Sequence, residues 1–275
     1  MKDNYIYTTS QLAKQYDLTP KGLAFYEKHG LVSPSREQNN KYRSFNLEDC
    51  YCLHFSKFYK NVGLSINETV ELEKNGNMDT IMGTINSSCE TKMKQIDEEI
   101  MIIKAFRDIV SRLEEYKKYG QQFKITRRPE FDRLHVRYYD ETHIINDKSS
   151  AEFVKWNKYT PINAPSLLYS FDRVNSNEDL MNVDVANGIF SSDFDLLGFD
   201  RSENVKHYDS VKCIETIICG DALKINNRDW LLSTLDYIKK HNYELAGDII
   251  TKMLIVTGKN DNRIRYDVAY FPISD

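Results

Sequence analysis

Six basic residues gather between positions 14 and 43, at Lys14, Lys21, Lys28, Arg36, Lys41 and Arg43. Clustered Lys and Arg neutralise phosphates and release their counterions, so this segment has the chemistry to hold a nucleic-acid backbone. The formal net charge of −4 does not argue against it, because the acids lie elsewhere: 178–200 carries six acids and no Lys or Arg. Other groups suggest weaker chemistry. The five cysteines Cys50, Cys52, Cys89, Cys213 and Cys219 form no CxxC pair, and packed, reduced thiols are the expectation. A spacing of six puts Cys213 and Cys219 on one strand face but roughly 20 Å apart, too far to share a metal. Asp193 and Asp195 have calcium-loop spacing but lack the turn glycine and the closing Glu, which predicts a solvated loop. Glu215, inside the apolar run Cys213–Ile218, is a candidate buried acid, although strand alternation leaves its face open. No G-x-S-x-G motif supplies a nucleophile.

The basic cluster needs a scaffold, and the pattern supplies one. Thr9–Ser10 open a short helix through Leu12 and Ala13, Asp17–Leu18 turn, and Thr19 caps a second helix with Pro20 at its first position, where the missing amide hydrogen is not needed. Two helices so joined have the dimensions of a helix-turn-helix. Leu31–Phe45 reads as a hairpin with a polar tip, a wing. Asn46 caps a third helix over 47–62 that Gly63 closes, and Ser65 opens a fourth. From Met78 to Tyr119 apolar residues recur at threes and fours with no Pro and one Gly, which predicts a long helix pairing as a coiled coil. Beyond Gly120 the spacing predicts strands over 123–126, 133–139, 166–171, 181–185, 211–219, 249–257 and 263–271. Helices over 149–159 and 227–241 interrupt them. That order suggests a duplicated α+β unit. The expected fold is therefore α+β, with a winged head over 1–76, a dimerisation helix over 77–120 and an α+β domain of two related halves over 121–275. No apolar run of membrane length and no apolar leader is present, so a cytoplasmic protein without a membrane partner is expected.

The run Leu12-Ala13, Leu23-Ala24-Phe25-Tyr26-Glu27, Gly30-Leu31, Pro34, Arg36, Tyr42-Arg43 and Gly63-Leu64-Ser65-Ile66 resembles the head of the MerR family of bacterial regulators. Members usually carry Leu-Arg-Tyr-Tyr-Glu where this chain has Ala24 and Phe25. Two phosphate-directed donors are lost there, with Lys21 as the natural substitute. The resemblance implies DNA contacts from Lys21, Tyr26, Arg36, Lys41, Tyr42 and Arg43, the Tyr42–Arg43 pair gripping phosphates. Trp230–Leu235, His241–Asp248 and Tyr270–Ile273 resemble the GyrI-like effector domain of the multidrug-sensing branch. Two acids usual in that domain appear here as Thr251 and Val268.

The resemblance implies a homodimer on double-stranded promoter DNA that twists a long spacer and so reaches RNA polymerase through the promoter. It also implies a small hydrophobic or cationic ligand in the C-terminal domain and no cofactor. An apolar cleft lined by aromatics suits such a ligand. The candidates are Tyr138, Trp156, Tyr169, Phe171, Tyr208, Trp230 and Tyr266, with Glu215 as the acid. Two alternatives accompany this non-enzymatic expectation: a cysteine-based metal or redox sensor, and a GyrI-like domain with hydrolase activity.

Overall fold

The computed structural model describes residues 6–36, 42–135, 147–176, 180, 183–258 and 263–274. The chain divides into two compact units, residues 1–97 and 98–275. In the first, β1 (Tyr7–Thr8), α1 (Thr9–Gln15), α2 (Pro20–Lys28), β2 (Ser35–Arg36), β3 (Arg43–Phe45), α3 (Leu47–Val62) and α4 (Ile66–Asn75) follow one another. Local chemistry sets each boundary. Thr8, one residue before the expected hydroxyls, caps α1 by accepting from the Gln11 amide, while the Gln11 side chain accepts from the Thr8 amide at 2.9 Å. Asp17 makes the turn in the left-handed region at φ 49. Thr19 then accepts from the Gly22 amide at 3.0 Å with Pro20 at the first helical position. Asn46 with Asp49, and Ser65 with Glu68, close reciprocal capping boxes on α3 and α4, each satisfying two otherwise unpaired donors. Gly63 ends α3 at φ 108, a conformation that costs a residue with a Cβ dearly.

These helices bury one face. Leu12, Ala13, Leu23, Tyr26, Leu31, Val32, Phe45 and Leu53 form a single cluster, each large side chain contributing roughly 1.5–3 kcal/mol of transfer free energy. β3 lies between β1 and β2 in an antiparallel sheet, with Ser35 opposite Ser44 and Arg36 opposite Arg43. That is the base of the expected hairpin; its tip, 37–41, lies outside the described residues.

α5 (Met78–Tyr119) is a continuous helix with no fully buried residue. Met82, Met93, Ile96, Ile100, Ile103, Phe106 and Val110 on it are exposed.

The second unit holds β4 (Lys124–Arg128), β5 (Phe131–Leu134), α6 (Asp147–Asn157), β6 (Ala164–Tyr169), α7 (Phe171–Asn175), β7 (Asp184–Phe190), α8 (Ser191–Leu196) and β8 (Val205–Tyr208). It continues through β9 (Val211–Asp221), α9 (Asp229–Lys240), β10 (Glu244–Leu245), β11 (Ile249–Thr257) and β12 (Ile264–Ser274). One antiparallel sheet runs β4-β9-β12-β11-β6-β7-β5-β8, with β10 beside β12. Its two halves repeat a path. β5-α6-β6-β7 places its third strand between the first two, and so does β9-α9-β11-β12. β8 and β4 flank the first strand of each half, and β6 pairs with β11 at the join.

Strand alternation gives the sheet two different faces. Leu167, Tyr169, Ile214, Ile218, Ala269 and Phe271 pack with Trp230, Leu231 and Ile238 of α9. Leu134 and Ile189 pack with Trp156 of α6 and Phe194 of α8. The opposite face carries Phe131, Leu168 and Ile250, and then Cys213, Val268 and Tyr270. Several strands are displaced from expectation. The one expected at 133–139 begins at Phe131 and is described to Leu134, and the one expected at 181–185 is Asp184–Phe190. β8 and the short helices α7 and α8 were not expected, since segments of four to six residues carry too few periods to register.

Candidate functional site

In the head, α2 exposes Lys21 and Phe25 and half-buries Glu27. Arg43 Nε lies 3.0 Å from Glu27 Oε2, and Arg36 donates to Glu27 Oε1 at 3.3 Å. One carboxylate on the second helix thus gathers both wing arginines, and Tyr42, 72% exposed, adjoins Arg43 in sequence. Tyr26, 7% exposed, departs from expectation: its ring is part of the core, and burial raises its phenol pKa. The helical period puts its neighbour Phe25, 48% exposed, outward instead. Lys41 lies outside the described residues.

In the second unit a cleft of about 460 Å³ opens on the sheet face that α6 to α9 leave bare. Its floor includes Glu215, Lys252, Leu254, Val268 and Tyr270; Asp108, Ile109 and Arg112 of α5 line a wall, and Phe190 and Asp193 an end. Arg112 donates to Glu215 Oε1 at 2.6 Å and to Asp108 Oδ2 at 2.8 Å. Lys252 places its Nζ 4.9 Å from the Phe190 ring centroid. Burial lowers the Lys252 pKa to about 8, against the partly compensating charges of Asp193 and Asp108. Burial likewise pushes the Asp193 carboxyl up, offset in part by Lys252. The lining thus mixes apolar wall with charges of both signs. Among the described residues no three His, Cys, Asp or Glu side chains gather as metal ligands, and no helix is long and apolar enough to cross a membrane.

The family model described as MerR HTH family regulatory protein matches residues 7–75, the helix-turn-helix and wing just described. The head is a MerR-type helix-turn-helix domain. Among curated proteins the chain is similar to the HTH-type transcriptional regulator AdhR of Bacillus subtilis (strain 168), with 37% identity over 62 residues, 22% of this chain and 44% of AdhR. It is 35% identical over 63 residues to a probable heavy metal-dependent transcriptional regulator of Haemophilus influenzae, 23% of this chain and 49% of that one. The chain spans less than half the length of either relative. Among solved structures, EcmrR in its DNA complex aligns over 98% of this chain and 100% of its own, at 16% identity and a TM-score of 0.35.

Within this MerR-headed chain, the residues expected around a ligand fall apart into separate environments. Of those among the described residues only Glu215 lines the cleft, and there it is already ion-paired with Arg112. Trp156 stacks on Phe199 at 5.3 Å in the α6 core, and Trp230 is buried under α9. Tyr169 is fully buried and donates to the Ile225 carbonyl at 2.9 Å. Phe171 begins α7, its amide bonded to Asp248. Tyr266 meets Tyr116 edge to face at 5.8 Å. Tyr208 lies among Arg128, Arg133 and Lys206, with ring-to-cation distances of 6.0, 5.9 and 4.9 Å. Tyr138 lies outside the described residues. Two acids expected of the domain's relatives are absent at Thr251 and Val268, yet Asp267 beside Val268 is fully buried. Alternation turns it to the helix-covered face, where Arg265 donates to both its oxygens at 2.7 Å and Thr251 donates at 2.5 Å.

The cleft residues that the sequence reading missed are Arg112, Asp108, Asp193 and Lys252. Lys252 had a signal: in Ile250-Thr251-Lys252-Met253-Leu254 it alternates in phase with two apolar residues that face inward. Cys213 is buried, with its thiol pKa raised by burial to about 11, and Cys219 lies 3.3 Å from the Tyr116 hydroxyl.

Proposed function

We propose that this chain is a promoter-binding regulator that works as a homodimer and changes its hold on DNA when a small organic effector enters the cleft of the second unit. The observation that carries the reading is the MerR match over residues 7–75 together with the surface on which Glu27 gathers Arg36 and Arg43. Such a surface suits phosphate contacts from the wing, while α2 approaches base edges in the major groove. The apolar residues exposed along α5 support pairing with a second copy, because a stripe repeating every three to four residues buries itself against another helix. Effector control then requires the ligand to favour one of two arrangements of the paired heads, one of which bends or untwists the promoter and so alters its use by RNA polymerase. The relatives, named as transcriptional regulators, support the same class of function. Footprinting on promoter fragments and transcription in vitro with the full chain test the reading. A discrete protected segment with dyad symmetry is the expected result, and the absence of any protected promoter sequence would sink it.

A further inference from the structure

The charges of the cleft are unequally satisfied. Arg112 is engaged on both sides, by Glu215 at 2.6 Å and Asp108 at 2.8 Å, so these three groups form a closed set. Lys252 is different. Among the described residues its Nζ has no carboxylate within 4.0 Å and no hydrogen bond, and it lies 4.9 Å from the ring centroid of Phe190. Lys252 is half-buried in the cleft, and an ammonium partly withdrawn from water favours a counter-charge, of which the ring face supplies only part. The cleft around it holds about 460 Å³, with Met101, Ala105 and Ile109 on its wall and Leu254 and Val268 on its floor, enough for a small aromatic or alicyclic body.

We infer that the cleft takes an amphipathic organic anion, its carboxylate or similar group seated on Lys252 Nζ and its apolar body against the α5 wall. This deepens the effector reading above and departs from the hydrophobic or cationic ligand that family resemblance implies. A cation entering here meets Asp108 and Glu215 already committed to Arg112, only Asp193 outside that set, and an ammonium that no carboxylate among the described residues approaches within 4.0 Å. An anion supplies what the site lacks. Asp193 opposes it from α8, with its carboxyl pKa raised by burial and offset in part by Lys252. The charged and titratable groups that line the cleft with Lys252 are Asp193 from α8, Lys104, Asp108 and Arg112 from α5, Arg127 from β4, Glu215 from β9 and Tyr270 from β12.

The test is calorimetric titration of the full chain with three probes of one shape: naphthalene-2-carboxylate, naphthalene-2-carboxamide and 2-naphthylmethylammonium. The carboxylate is expected to bind at least about tenfold more tightly than either of the others. Lys252→Met should reduce its affinity to that of the amide while leaving the amide unchanged, and Asp193→Asn, which removes the opposing charge, should tighten it. Raising the pH through the Lys252 range should weaken carboxylate binding in the native chain. Tightest binding by the ammonium, no binding of the carboxylate at millimolar concentration, or an unchanged carboxylate affinity in Lys252→Met each overturns the inference. Circular dichroism of both variants separates loss of a contact from loss of fold. A chain that binds the carboxylate but protects no promoter keeps this inference and loses the regulator reading; protection without carboxylate binding does the reverse.

Discussion

Arg112 on α5 donates to Glu215 on β9 at 2.6 Å, across 103 residues of sequence. Their side chains are 25% and 19% exposed, so the pair is half-buried, and removing one partner leaves a charge in a poorly solvated place. Glu215→Gln should lower stability by about 1–3 kcal/mol in urea denaturation, because Asp108 still holds the guanidinium. Arg112→Met should cost a similar amount, and the double substitution less than the sum. Strict additivity would show that the contact contributes nothing.

Phosphate contacts report themselves in salt dependence. If Arg43 and Lys21 meet the DNA backbone, Arg43→Ala and Lys21→Ala should each reduce the slope of log affinity against log salt by about one. The loss should be uniform across operator sequences. Tyr26→Phe should leave the slope unchanged, since that ring belongs to the core. A slope insensitive to both basic residues would move the DNA face elsewhere.

The bidentate bond from Arg265 to Asp267 lies in a fully buried carboxylate site that Thr251 completes. Asp267→Asn uncouples a buried cation and should cost about 3–5 kcal/mol, read as a lower urea midpoint with an unchanged m-value. A smaller loss from Thr251→Val, about 1–2 kcal/mol, should accompany it.

The head was legible because its boundaries are written locally. Asn46 with Asp49, Ser65 with Glu68, Thr19 before Pro20 and Gly63 after α3 each settle a helix end within four residues. The second unit yielded its order of strands and helices, and a strand order that repeats, but not its cleft. Which aromatics face a ligand depends on which sheet face the helices cover, a long-range outcome. Trp156 and Trp230 sit on amphipathic helices whose apolar stripes went to the core. Arg112 and Asp108 are charged residues within the predicted long helix, and only the fold brings Arg112 against Glu215. Asp267 and Val268 show how fine the dependence is: one step along β12 exchanges a cleft residue for one in a buried network.

Gly220 on β9 leaves room for the indole of Trp230. A Cβ there would stand 1.8 Å from the Trp230 Nε1, so even a methyl group forces that side chain out of the α9 core. Gly220→Ala should lose several kcal/mol, in the range of overpacked cores and above, with a red-shifted tryptophan emission as Trp230 meets water. Emission unchanged from the native protein would show that α9 shifts to accommodate the methyl.

Lys252 predicts a pH dependence of stability with an unusual sign. Its ammonium titrates near 8 in the folded chain, held down by burial, against 10.5 for the ordinary lysine. Between those values the unfolded chain binds the extra proton, so folding stability from this group rises with pH. The sign follows from the direction of the shift: below about pH 8 both states are protonated and the burial cost is carried in full, and above about pH 10.5 both are neutral and it has gone. The amplitude is of the order of 2 kcal/mol. Urea denaturation across this range should therefore show a rising component in the native protein that Lys252→Met abolishes. The stability of the variant at pH 7 then reports the burial cost removed against the attraction to Asp193 that is lost with it. A saturating anion in the cleft should flatten the same profile by compensating the ammonium in the folded state, whereas a cation should steepen it. A native profile identical to that of Lys252→Met would place the ammonium in water and remove it from the cleft.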